Sequence, residues 1–191
     1  MKTRTVRELM VQIDEYATVS KDATLYETVM ALEKAQQDFN RNQYPHRAVL
    51  VFDEHNDIVG KISQLDILRA LEPKYENIAE KGGSLARLGF SNHFQKTMIE
   101  QFNLWNKPFS DICKKAAQLK AGGFMYTPSE GEYVEAKATL DEAIHQLVMG
   151  HHQSLLVTDN KKIVGILRLT DVFMAVFETI VTECKPVKLE T

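Results

Sequence analysis

The sequence is short of the features that mark several common functional classes. Only two cysteines occur in 191 residues, Cys113 and Cys184. Neither lies in a Cys-x-x-Cys pair or close to a histidine, so both read as reduced thiols rather than as metal ligands or a disulfide. No apolar run reaches the ~18 residues that span a bilayer, and residues 1–16 are charged and amphipathic without the apolar core of a signal peptide. A cytoplasmic protein with no membrane contact is expected. Basic residues are not in excess, with 23 Lys and Arg against 26 Asp and Glu and a formal charge of −3, so no nucleic-acid partner is expected. Gly-x-Ser-x-Gly, Gly-x-x-x-x-Gly-Lys, His-Glu-x-x-His and Cys-His patterns are all missing. No catalytic residue and no required cofactor is therefore assigned, and the chain is read as a binding protein rather than an enzyme.

What the sequence does contain is a repeat. Val19-Ser20-Lys21-Asp22-Ala23-Thr24-Leu25-Tyr26-Glu27 matches Val134-Glu135-Ala136-Lys137-Ala138-Thr139-Leu140-Asp141-Glu142, 115 residues later. In both copies Thr-x-x-Glu reads as a capping box before a helix with an apolar stripe: Leu25, Val29 and Leu32, then Leu140, Ile144 and Leu147. Two apolar runs follow, residues 48–53 and 154–159, each with a polar turn and a second strand bearing an interior glycine, Gly60 or Gly165. A glycine at that point marks a bulge or a close approach of another backbone. A second helix then starts near Gln64 and Leu169. The offset falls to 105 across this half, which places about ten extra residues in the polar stretch 36–45. A lead-in is also visible, with Val6-Arg7-Glu8-Leu9-Met10 matched to Phe109-Ser110-Asp111-Ile112-Cys113.

The expected architecture is α/β (α+β): two pseudo-symmetric βαββα repeats, each too small to cover its own sheet, with a helical insert joining them. The repeats span residues 4–72 and 106–182, and the insert 73–105. Within the insert, residues 81–84 read as a turn, and a helix from about Asn92 presents Phe94, Met98, Phe102 and Trp105.

From the interior glycine of each second strand runs a Gly-x-x-x-x-x-Asp segment: Gly60-Lys61-Ile62-Ser63-Gln64-Leu65-Asp66, and Gly165-Ile166-Leu167-Arg168-Leu169-Thr170-Asp171. With the doubled helices and strands, this pattern resembles the tandem pair of CBS domains, the family named after cystathionine β-synthase. The resemblance implies a regulatory ligand-sensing module that holds an adenine nucleotide (AMP, ADP or ATP) or an adenosyl compound such as S-adenosylmethionine in the cleft between the repeats. It further implies three partners: the small-molecule adenosyl ligand, a second copy in a homodimer and an unidentified protein target. The alternative is a ligand-independent interaction module acting through the insert or the C-terminal helix.

The resemblance carries ribose recognition onto Asp66 with Ser63, and onto Asp171, where Arg168 replaces the usual hydroxyl. A carboxylate can accept both hydroxyls of a cis-diol. Two readings stay open at each position. Ser63 and Asp66 also suit a plain helix N-cap, and Arg168 either contacts phosphate with its planar fork or pairs with Asp171 and closes that site. His46 with Arg47, and His151 with His152, precede the strands and are candidates for phosphate binding or for solvated strand starts. A metal site at His145, His151 and His152 lacks supporting ligand spacing. Ile13, Tyr16 and Ala17, and Phe124, Met125 and Tyr126, would flank the base or belong to the core. The final helix, from Leu169 to about Cys184, carries a wide apolar face suited to a dimer contact or to internal packing.

Overall fold

The computed structural model describes residues 4–38, 46–75, 91–106 and 109–183. The expected turn at 81–84, Cys184 and most of the 36–45 stretch lie outside these residues. In chain order the elements are α1 (Val6–Leu9), β1 (Val11–Gln12), β2 (Thr18–Ser20), α2 (Leu25–Asp38), β3 (Ala48–Phe52), β4 (Ile58–Ser63), α3 (Gln64–Leu71), α4 (Asn92–Gln101), α5 (Phe109–Gln118), β5 (Tyr133–Glu135), α6 (Leu140–Gly150), β6 (Ser154–Asp159), β7 (Lys162–Arg168) and α7 (Leu169–Glu183). Single 3-10 turns occur at Ile13–Glu15, Ala121–Gly123 and Glu130–Glu132. The mixed α/β class and the repeated strand-helix-strand-strand-helix order are those expected.

The capping boxes form as their sequences require. Glu27 Oε2 accepts from the Thr24 N–H at 2.6 Å, and Thr24 Oγ1 accepts from the Glu27 N–H at 3.2 Å. Thr139 and Glu142 make the same reciprocal pair at the start of α6. Each box satisfies N–H groups that a helix start otherwise leaves unpaired.

Two compact units result. One comprises Met1–Thr18, Ala35–His46 and Thr127–Thr191, the other Val19–Lys34 and Arg47–Tyr126. The first holds a sheet of order β1-β7-β6-β5, with β5 parallel to β6 and the other pairs antiparallel. Its core gathers Val6, Val134, Leu140, Leu147, Leu155, Val157, Leu167 and Val172 from strands and helices on one side of that sheet. The second holds the sheet β2-β3-β4, with Leu25, Leu32, Val49, Leu50, Val51 and Ile62 buried.

Each unit thus takes its lead-in from the opposite sequence repeat, and the two lead-ins dock identically. In the first unit Val6 and Arg7 donate to the carbonyls of Ala138 and Ala136, and Leu140 donates to Arg4. In the second, Ala121 and Gly122 donate to Ala23 and Lys21, and Leu25 donates to Leu119. Every residue in one set is 115 positions from its counterpart in the other. The equivalent of Val6–Met10 is therefore 121–125, and the expectation that it would be 109–113 is corrected. Apolar spacing misled there because α5 is an additional amphipathic helix, tied through the Lys115 ammonium to the Leu71 carbonyl at the end of α3.

The interior glycines follow from this docking. At both, the strand bulges: Val51 pairs with Gly60 and Phe52 with Ile58, and Val157 pairs with Gly165 and Thr158 with Ile163. The lead-in chain crosses at the bulge. A Cβ on Gly60 would lie 2.6 Å from Met125 Sδ and 3.1 Å from the Tyr126 carbonyl oxygen, and one on Gly165 would lie 2.5 Å from the Val11 carbonyl oxygen. Bulge and close approach, the two reasons for a strand glycine, both operate here.

Candidate functional site

In the second unit, β4 ends at Ser63, which turns the chain into α3. Ser63 Oγ accepts from the Asp66 N–H at 3.3 Å, while Asp66 Oδ2 accepts from the Ser63 N–H at 2.8 Å and its hydroxyl at 2.6 Å. The capping reading of these two residues is realised. It leaves Asp66 Oδ1 facing the Arg69 guanidinium, 3.6 Å away. Asp66 also lines a cavity of about 320 Å³ together with Arg69, Ala70, Tyr75, Phe124, Met125 and Tyr126. That volume is at the lower end of small-molecule sites. Capping and ligand acceptance are compatible, since the cap occupies one oxygen and the cavity reaches the same carboxylate.

The three residues Phe124, Met125 and Tyr126 reach Asp66 because the exchanged lead-in brings them there, with Lys61 and Tyr126 exchanging backbone hydrogen bonds of 3.0 and 2.9 Å. Lys61 places its ammonium 5.4 Å from the centre of the Tyr126 ring. Arg69 and Tyr75 were not expected. Arg69 is legible after the fact, one helical turn beyond Asp66 and so on the same face of α3. Tyr75 had no such signal; it is held by the insert, where the Trp105 indole N–H donates to its hydroxyl at 3.0 Å and the Trp105 backbone N–H donates to the buried Glu72 carboxylate at 2.8 Å.

The corresponding motif in the first unit is arranged differently. Arg168 closes a fork on Asp171, Nε donating to Oδ2 at 2.6 Å and Nη2 to Oδ1 at 2.5 Å. The arginine side chain is only 9% exposed. Beside it lie Tyr16 and His46, their rings edge to face with centroids 4.3 Å apart. Burial pushes the Tyr16 hydroxyl up to about 12, against the opposing pull of Arg168. Burial, and next the Arg168 charge, pushes the His46 imidazole down to about 4.

His46 is therefore buried and neutral at pH 7, which corrects both the cationic and the solvated expectation for it. Arg47 is exposed, and its carbonyl accepts from the Gln64 N–H at the start of α3. In the first unit the same bond runs from the Leu169 N–H to the Gln153 carbonyl. The structural match of His46-Arg47 is thus His152-Gln153, one residue beyond the expected His151-His152, because five residues separate the paired Phe52 and Ile58 whereas four separate their equivalents Thr158 and Ile163. His151 ends α6 in the left-handed conformation (φ 52°), and its N–H and that of His152 donate to the Val148 and Leu147 carbonyls. The His152 ring folds back over Gly150, leaving no room there for a Cβ. Among the described residues, no group of three His, Cys, Asp or Glu side chains is placed to hold a metal ion.

Comparison with known proteins bears on the family and the fold. The family model for the CBS domain matches twice, at residues 6–73 and 128–178. Among solved structures, CBSX2 in complex with AMP superposes with a TM-score of 0.55 at 17% identity, over 91% of this chain and 96% of that one. The CBS domain of a bacterial CNNM/CorC family Mg2+ transporter in complex with ATP gives 0.58 at 15% identity, over 92% and 89%. A CBS domain-containing protein from Bacillus anthracis str. Ames Ancestor gives 0.59 at 14% identity, over 93% and 95%. No curated protein matches significantly. The chain belongs to the CBS domain family and carries two copies of the domain.

Proposed function

We propose that the protein is a regulatory module that binds an adenine nucleotide or a related adenosyl compound and signals by a change of conformation. The observation that carries this reading is the cavity at Asp66, where a carboxylate meets Phe124, Met125 and Tyr126. Asp66 accepts the ribose hydroxyls, and the aromatic walls take the base. Solved relatives of the same fold hold AMP and ATP, which supports the ligand class. Ser63 serves by orienting Asp66, and Arg47 supplies positive charge at the same helix start.

The Asp171 motif is closed in this proposal. Both of its oxygens are engaged by Arg168, and Tyr16 and His46 pack beside the pair. One ligand per chain follows. His46, His151 and His152 then serve the fold of that unit rather than a phosphate.

A homodimer is also proposed, through α7. Its Val172 and Ala175 are buried, whereas Phe173, Phe177, Ile180 and Val181 are exposed along one stripe, Phe173 by 62%. Such a face on a surface helix is costly to leave in water.

Titration calorimetry with AMP, ADP, ATP and S-adenosylmethionine tests the central reading. Saturating ligand at 100 times its dissociation constant should stabilise the fold by about 2.7 kcal/mol. Absence of heat and of stabilisation for all four would leave the interaction-module reading in its place.

A further inference from the structure

We propose that the end of the insert is coupled to the Asp66 cavity through Tyr75, so that docking of Asn103–Trp105 on the end of α3 and occupancy of the cavity favour one another. The inference rests on the preceding assignment of an adenosyl ligand to this cavity and names the element that reports its arrival.

Tyr75 serves the cavity and the insert at once. It lines the cavity with Asp66, and its hydroxyl accepts from the Trp105 indole N–H at 3.0 Å, the two rings standing edge to face with centroids 6.4 Å apart. Trp105 is not one of the described residues that line the cavity. It is therefore a positioning residue, setting the orientation in which Tyr75 forms the wall. A ligand packed on that wall gains the contact only while Tyr75 is so held, and by linkage it strengthens the docking in the same proportion.

The docked segment is held by few bonds and opposed by its own backbone, which lets a ligand shift it. In its favour, the Trp105 N–H donates to Glu72 at 2.8 Å, the Lys74 ammonium donates to the Asn103 carbonyl at 2.8 Å, and Leu104 is buried. Against it, Asn103 and Trp105 both take the left-handed conformation, φ 49° and 57°, which an aromatic residue rarely adopts. The Glu72 carboxylate, in a residue only 6% exposed, exchanges water for the Trp105 bond and a longer one of 3.4 Å from the Lys74 N–H. Trp105 remains 43% exposed, so the path from the cavity through Tyr75 ends at the surface. At the equivalent positions 105 residues on, α7 simply continues, with Phe177 and Ile180 in place of Glu72 and Tyr75. The coupling belongs to the unit whose motif is open.

Trp105 is the only tryptophan in the sequence, so emission from the full chain reads the docked segment directly. The test is titration of AMP, ADP, ATP and S-adenosylmethionine into wild type, Tyr75→Phe, Trp105→Phe and the double variant, with heat followed in all four and emission in the two that keep the tryptophan. Circular dichroism checks folding. Tyr75→Phe keeps a ring in the wall and removes the acceptor, whereas Trp105→Phe removes the donor. In wild type, each compound that gives heat should change the emission with the same midpoint. Each single substitution should weaken binding by about threefold or more, and the double variant should lose no more than either alone, because the pair acts as one unit. Tyr75→Phe should also abolish the emission change at saturation. Heat without an emission change in wild type, a single variant with wild-type affinity, additive losses, or an emission change that survives Tyr75→Phe would each overturn the coupling while the adenosyl reading stands. If none of the four compounds gives heat, the adenosyl reading itself fails and takes the coupling with it.

Discussion

Arg168 grips both carboxylate oxygens of Asp171, at 2.6 and 2.5 Å, whereas the equivalent Asp66 gives one oxygen to Ser63 and turns the other toward a loosely placed Arg69. The same motif has therefore become two different devices within one chain. In one, an internal cation neutralises the carboxylate. In the other, the carboxylate reaches a cavity.

Replacing Arg168 by Ser should reopen the second site. Serine can rebuild the reciprocal cap seen at Ser63, so stability should change by no more than about 1–2 kcal/mol. Calorimetric stoichiometry for AMP should rise from one toward two per chain. A wild-type value of two would show that the fork does not exclude ligand.

Asp66→Ala removes a cap and a ligand acceptor together. Loss of the cap should lower stability by about 1 kcal/mol in urea unfolding. The added stabilisation by AMP should vanish entirely. A variant that keeps its ligand-induced shift in melting temperature would place the ribose elsewhere.

The two bulge glycines should differ in tolerance. At Gly60 a new methyl first meets the thioether of Met125, which is flexible, whereas at Gly165 it meets the Val11 backbone oxygen. Overpacking of this kind costs about 1–3 kcal/mol, and Gly165→Ala should lie at the upper end with Gly60→Ala below it. Denaturant midpoints of the two variants give the comparison directly, and equal losses would contradict the contact order.

Acid should destabilise the fold before its carboxylates are protonated. The folded His46 pKa is depressed to about 4 from an ordinary 6.5, so the unfolded chain binds a proton that the native one refuses. The stability is fully present above pH 6.5 and declines as pH falls toward 4, by about 2–3 kcal/mol in all. Glu27, Asp53 and Glu54, whose pKa values are lowered by hydrogen bonds, add their own losses only below about pH 4.5. At the other extreme, Tyr16 remains protonated to about 12, so stability should also fall as pH rises from 10 toward 12. Unfolding free energies of wild type and His46→Gln between pH 4.5 and 7 isolate the histidine, and a slope unchanged in the variant would exclude it as the cause.

The dimer is checked by Phe173→Glu, which sets a charge in the exposed stripe of α7. Sedimentation should show a dimer for wild type and a monomer for the variant, with the variant no less stable as a fold because Phe173 is 62% exposed. A monomeric wild type would end this proposal.

Much was determined by the sequence alone. Local chemistry settled the strand and helix starts, because Thr24, Thr139 and Ser63 cap where they stand, and the alternation into Gly60 and Gly165 admits little else. It could not reveal the exchange of lead-ins, since hydrogen bonds such as Val6 to Ala138 join residues far apart in sequence and depend on carbonyls rather than on side chains. Nor could it decide between the two roles open to Arg168, or show that His46 is buried and neutral. Those outcomes rest on which groups share a desolvated space with Asp171, Tyr16 and one another, and that is fixed only when the chain folds back on itself.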